Sequence, residues 1–164
     1  MLNQTPVQLA WVTRDLDATE QTLTALLGAK KWVRMPGIHF GPDSCTHRGR
    51  PADFTADISL SYAGDMQLEL IAPVDGESVY AEFLADSGPG LHHICLAAAD
   101  EDAFDTALRD AHAAGAPVVM QGVMPGGMRF AYVSAAGAGV PFIEIAYIPA
   151  DIQAVFDHIK NEQK

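Results

Sequence analysis

Cysteine is scarce: of 164 residues only Cys45 and Cys95 carry a thiol. One stands in a polar stretch and the other in an apolar one, with no CxxC pair, so neither a structural disulfide nor a thiolate zinc knuckle is expected. Basic residues are few as well. Ten Lys and Arg stand against 21 Asp and Glu, for a net charge of −11, and the acids are spread along the chain. Nucleic acid is thereby disfavoured as a partner, because phosphate binding needs a basic surface. Any anionic ligand must instead be caught by a local base or by a metal. Long apolar runs are missing too. No stretch reaches membrane-spanning length, and the N-terminal MLNQTPVQLAWVTRDLD lacks a basic n-region, so no membrane contact is expected and the protein is read as cytoplasmic.

What is present is an apolar content of 49%, ample for one core. Residues 7–13 alternate as a strand. Asp15 or Asp17 then caps a helical segment with Leu16, Leu23, Leu26 and Leu27 on one stripe, and Gly28 ends it. Residues 30–35 look extended, 36–53 read as a polar loop rich in Gly and Pro, either a lid or a disordered insertion, and strands are expected near 54–62 and 66–72. A short helix near 78–86, capped by Ser78 and ended by Gly88, leads to a second round: strand 91–98, helix from Asp100 to Gly115, strands 117–121, 128–134 and 141–147. Gln8 precedes His93 by 85 residues, as Asp15 precedes Asp100, which is the phase of a duplication. The expected organisation is a single domain over 6–148, with module one at 6–73 and module two at 91–148. A C-terminal helix within 149–164 carries Ile152, Val155, Phe156 and Ile159 at helical spacing.

Side chains alternate across a strand, so each strand divides into two faces. One face reads Val7, Leu9, Trp11; Met66, Leu68, Leu70; Ile94, Leu96; and Ile143, Ile145, Tyr147, as expected for packing under helices. The other reads Gln8, Ala10, Val12; Gln67, Glu69, Ile71; His93, Cys95, Ala97; and Phe142, Glu144, Ala146. That face mixes small residues with metal-ligand types and predicts a hollow. Glu69 and Glu144 sit among apolar neighbours, where an unpaired carboxylate costs several kcal/mol. Arg129 is the main base in the core strands, so a divalent cation is the natural partner of two carboxylates. His92 falls on the helix-facing side and reads as a packing residue. Cys45 with His47 makes a lone CxH, set aside as a metal site. Arg129, after the Pro-Gly-Gly turn, either grips a substrate anion or covers the rim.

The strand-DLD-helix-LLG start, QLELIAP, GLHHICL and FIEIAYI resemble the glyoxalase/bleomycin-resistance/dioxygenase group, the vicinal oxygen chelate proteins, over roughly residues 6–148. The resemblance implies an α+β fold in which two βαβββ modules form a cupped mixed β-sheet with helices on its outer face. Each module then gives one metal ligand from its first strand and one from its last, here Gln8 and Glu69, His93 and Glu144. GLHHICL and ELIAP are most similar to methylmalonyl-CoA epimerase. The ligand order Gln, Glu, His, Glu resembles zinc-type glyoxalase I. Gln8 stands where an epimerase usually has His, and Glu69 where it often has Gln.

By this resemblance one divalent ion (Zn, Co, Ni, Mn or Mg) is held with two positions left for water or a chelating substrate. The implied activity is a metal-dependent isomerase, epimerase or lyase acting by proton transfer through a stabilised enediolate or enolate. Glu144 and Glu69 are its acid–base pair, and Ala10, Cys95, Phe142 and Arg129 line the substrate site. A single ligand His speaks against an extradiol iron triad. Partners implied are a small-molecule substrate and a second copy in a homodimer. The alternatives are a metal-free binding protein of the bleomycin-resistance kind and a fold that has lost its activity.

Overall fold

In the computed structural model, which describes residues 4–164, strand β1 (Gln8–Val12) leads into helix α1 (Leu16–Leu27), β2 (Val33–Phe40), a hairpin of β3 (Cys45–His47) and β4 (Arg50–Pro51), β5 (Phe54–Ala63) and β6 (Met66–Asp75). Helix α2 (Val79–Ser87) then crosses to β7 (Gly90–Ala98), α3 (Glu101–Ala113), β8 (Val118–Val123), β9 (Arg129–Ser134), β10 (Phe142–Tyr147) and α4 (Ala150–Asn161). With the hairpin set aside, β-α-β-β-β occurs twice. The helix starts follow from their caps: Asp15 accepts from the amide of Ala18, Ser78 from Ala81 and Asp100 from Ala103. Gly28 ends α1 in the left-handed region at φ 76°.

All ten strands of the described residues join one mixed sheet in the order β2-β5-β6-β1-β7-β10-β9-β8-β3-β4. Its centre is symmetric. β1 runs parallel to β6, β7 parallel to β10, and β1 meets β7 antiparallel. The sheet is curled: β2 and β9 are six strands apart, roughly 29 Å in a flat sheet, yet the rings of Phe40 and Phe130 lie 6.1 Å apart. This is the α+β, cupped arrangement that the sequence led us to expect.

On the outer face α3 packs Phe104, Ala107 and Ala111 against Ala131, Val133 and Ile145. The concave face is less hollow than its alternation of small residues suggests. Phe40, Phe54, Phe130 and Tyr132 fill much of it, and α2 and α4 close over them with Val79, Tyr80, Leu84 and Ile159. The Leu stripe of α1 is buried only at Leu23; Leu26 is 75% exposed. Segment 36–53, expected to be loop, is strand in its first part and then a hairpin. β3 pairs with β8, Cys45 opposite Gly122 and His47 opposite Met120. Its two-residue turn at Arg48 and Gly49, with φ of 51° and 76°, has the handedness that matches strand twist. Strands this short and polar carry no legible period of two, which is why the sequence concealed them.

Candidate metal centre

Gln8, Glu69, His93 and Glu144 come from β1, β6, β7 and β10, the four adjacent strands at the middle of the sheet. Register sets their neighbours: Ala10 lies opposite both Glu69 and His93, and Cys95 opposite both Gln8 and Glu144. Period-two alternation then turns all four side chains onto the concave face. They converge on one atom. His93 Nε2 lies 3.2 Å from Gln8 Oε1, 3.2 Å from Glu144 Oε2 and 3.4 Å from Glu69 Oε2. His93 is fully buried, whereas the Glu69 side chain keeps 14% of its exposure, so solvent reaches the cluster at Glu69.

Two of the four, Gln8 and His93, are held from behind. Gln8 Nε2 donates to Gln67 Oε1 at 2.8 Å, and Gln67 Nε2 donates to the Tyr62 hydroxyl at 3.0 Å, which fixes the Gln8 amide with its oxygen toward His93. His93 Nδ1 lies 2.9 Å from His92 Nδ1. This second histidine is not on the helix-facing side, as simple alternation predicts. The β1–β7 register skips it, Ala10 pairing with His93 and Trp11 with Leu91, so His92 sits at a β-bulge and its ring joins the concave side. There it packs between Tyr80 and Phe83 of α2 and Phe142 and Tyr132 of the sheet. The ring of Tyr132 lies 4.8 Å from that of His93, and its hydroxyl meets that of Tyr80 at 2.6 Å.

Burial by itself would strip His93 of its proton, but the hydrogen bonds it donates to Glu144 and Glu69 outweigh it and lift its pKa to about 9. His92 goes the other way. Burial, and then the neighbouring His93 charge, lower it to about 2. Burial raises Glu69, helped by Glu144 and opposed by His93. Burial likewise raises the Tyr80 and Tyr132 hydroxyls and the Cys95 thiol, each also feeling the carboxylates.

Two carboxyl groups crowd one imidazole in a buried place, where a cation would offset their negative charge. The donor set of one imidazole nitrogen, one amide oxygen and two carboxylates suits a divalent ion of borderline to hard character. The spacing suits one too. Donors at about 2.1 Å from an ion stand roughly 3.0 Å apart in an octahedron and 3.4 Å in a tetrahedron, close to the edges measured here. Among the described residues no group of three or more His, Cys, Asp or Glu is arranged so that it could hold a metal ion; the oxygens lie close about His93 Nε2.

Of the expected substrate-lining residues, Ala10, Cys95 and Phe142 share the concave face with the quartet. Arg129 lies elsewhere. It is on the helix-facing side of β9, 2.8 Å from Asp105 and 3.5 Å from Glu101 of α3, with its guanidinium over Phe104. A cleft of about 280 Å³ beside Cys45, Gln121 and Arg129 is likewise away from the quartet. A cavity of about 140 Å³ between α4 and the sheet, lined by Tyr62, Gln67, Phe156 and Lys160 among others, borders the amides behind Gln8. Sequence reasoning missed Tyr62, Gln67, Tyr80 and Tyr132. Only Gln67 left a signal, as a polar residue in phase with Glu69.

Among curated proteins no sequence matches this one. Solved structures do. Methylmalonyl-CoA epimerase from Mycobacterium tuberculosis is 22% identical, covers 94% of this chain and 97% of its own, and superposes with a TM-score of 0.62. A hypothetical protein from Bacillus halodurans C-125 is 15% identical over 90% of this chain and 96% of its own, at 0.63. A single-substitution form of Streptomyces coelicolor methylmalonyl-CoA epimerase, in complex with 2-nitronate-propionyl-CoA, is 18% identical over 90% and 96%, at 0.59. At these identities the likeness is one of fold. The sequence also matches a family model described as the Glyoxalase/Bleomycin resistance protein/Dioxygenase superfamily over residues 7–132, most of the chain, and the chain belongs to that superfamily.

Proposed function

We propose that this chain is a divalent-metal-dependent isomerase or epimerase whose single ion is held by Gln8, Glu69, His93 and Glu144. The convergence of three oxygens on His93 Nε2 carries this reading. When bound, the ion supplies positive charge beside two vicinal oxygens of a substrate, where negative charge develops as an α-proton leaves. The protein's own groups do the rest. Glu144 and Glu69 flank the position of a bound substrate from β10 and β6, and a carboxylate on each side can take a carbon-bound proton and return one. Burial raises Glu69, which favours its holding a proton, and its residual exposure gives a route to solvent.

Ala10, Cys95 and Phe142 lie beside the quartet on the concave face and are the side chains a small acyl group would meet there. Arg129 is committed to α3 and plays no part in substrate binding in this reading. Residues 6–148 form one domain of two modules, 6–73 and 91–148, and the C-terminal helix of 149–164 covers the cup. The substrate is a small thioester or hydroxy-carbonyl compound, and a homodimer in the cytoplasm is the working form. Among the described residues no helix is long and apolar enough to cross a membrane.

A metal-free binding protein is the rival, favoured by the aromatic filling of the concave face. Elemental analysis of gently purified protein, beside a Glu144→Gln variant, separates the two. Near-stoichiometric divalent metal that the variant loses supports the enzyme and directs assays to thioesters and hemithioacetals. No metal after reconstitution leaves the binding protein.

A further inference from the structure

His92 is buried to 0% exposure, yet it makes one hydrogen bond of normal length through its ring, to His93 Nδ1 at 2.9 Å. Its Nε2 has no partner at normal distance, with only slight support from the Val79 backbone, and faces a shell of aromatic rings. An apolar side chain of similar shape would fill this place without stranding an N–H. The stranded nitrogen is explained by what the other nitrogen does.

Two ring nitrogens at 2.9 Å share one proton, so one donates and one accepts. His93 Nε2 faces three oxygens and must either carry a proton itself or bind a cation. With a cation on Nε2 the neutral ring keeps its proton on Nδ1. In that state His93 Nδ1 is the donor and His92 Nδ1 the acceptor. With Nδ1 accepting, the one proton of a neutral His92 ring is left for Nε2, the atom without a partner.

We propose that His92 is a positioning residue for the metal centre, accepting the Nδ1 proton of His93 so that His93 Nε2 is fixed in tautomer and aim toward a divalent ion. This inference rests on the metal reading above. Ligating histidines are commonly oriented by an outer acceptor, usually a carboxylate, a backbone carbonyl or a water. Here a second imidazole, delivered by a β-bulge, takes that role, and its rigidity in an aromatic cage serves where a flexible acceptor would not.

The test compares wild type with His92→Asn, whose Oδ1 can accept where Nδ1 does, and His92→Leu, which cannot. Cobalt(II) affinity by chelator competition and the visible spectrum of the cobalt form are read, with melting of each metal-free protein to establish folding. We expect His92→Asn to keep the wild-type spectrum and His92→Leu to bind cobalt about 10- to 100-fold more weakly. Equal affinity and spectra in the two folded variants overturn the role of His92 alone, while wild-type protein that takes up no cobalt overturns the metal centre and that role with it. Nitrogen-15 NMR of zinc-loaded wild type decides the matter even if His92→Leu fails to fold. A proton bonded to His93 Nδ1 and coupled to His92 Nδ1 supports the assignment; a proton bonded to His92 Nδ1 overturns it.

Discussion

Gln67 holds Gln8 by a single buried hydrogen bond of 2.8 Å from Gln8 Nε2 to Gln67 Oε1, directly across the parallel pair β1 and β6. An amide oxygen is a weak ligand, and in the proposed metal site Gln8 would serve only with its free rotation removed beforehand. The Tyr62 hydroxyl behind Gln67 sets the sense of the chain of amides, since it takes the Gln67 N–H and leaves the Gln67 oxygen for Gln8.

Replacing Gln67 by Leu strands a buried N–H of Gln8. We expect a loss of about 1–3 kcal/mol in stability and of roughly 10- to 100-fold in metal affinity. Gln67→Glu, which keeps an acceptor, should hold most of the affinity. Urea unfolding and chelator competition measure the two effects, and unchanged affinity in Gln67→Leu would remove Gln67 from the site.

Gly122 faces Cys45 across the β3–β8 ladder, and a Cβ there would collide with Cys45 Sγ and come within 2.9 Å of Phe130 Cε1. Gly122→Ala should therefore destabilise by about 1–3 kcal/mol through overpacking. Adding Cys45→Ala should recover part of that loss, because it removes one of the two clashing atoms. A double-mutant cycle by denaturant unfolding reads the coupling; strictly additive effects would show that the hairpin is not packed as described.

The Leu stripe of α1 gives a contrast between side chains of one type. Leu23→Ala should cost about 2–5 kcal/mol as a core truncation, while Leu26→Ser should change stability by less than about 0.5 kcal/mol. Thermal unfolding of the two variants checks this. A large effect at position 26 would mean that its exposed face is covered in solution, as in an oligomer.

That stripe shows where the sequence was legible and where it was not. Strand alternation separated Gln8, Glu69, His93 and Glu144 from the helix-facing residues, because a period of two persists wherever a strand is regular. It failed at His92, where one extra residue in β7 breaks the phase and nothing in GLHHICL marks the break. Helix caps were readable from Asp15, Ser78 and Asp100, since capping is local chemistry. The burial of α1 was not, because four leucines at helical spacing say only which face is apolar, and the curl of the sheet decides how much of it is covered. Gln67 stood in the sequence only as one more polar residue in phase with Glu69; the register with Gln8 reveals it as a support. The aromatic filling of the cup comes from strands distant in sequence and from α2 and α4, and pairwise spacing along the chain holds no trace of it.

The β3–β4 hairpin belongs by sequence to the first half of the chain but lies on β8 of the second. Together with the β1–β7 seam it fastens the halves along two separate lines of backbone hydrogen bonds. A clam-like hinge about the central seam would have to unzip the hairpin, and Arg48 reinforces the fastening through Glu82 of α2 at 2.7 Å. α4, tied at one end by Lys160 to Asp65 and by Gln163 to the Lys31 carbonyl, lies along the cavity beside Tyr62 and Gln67. The molecule is thus built as a clasped vessel, its two halves fastened along both seams and its last helix laid against the wall.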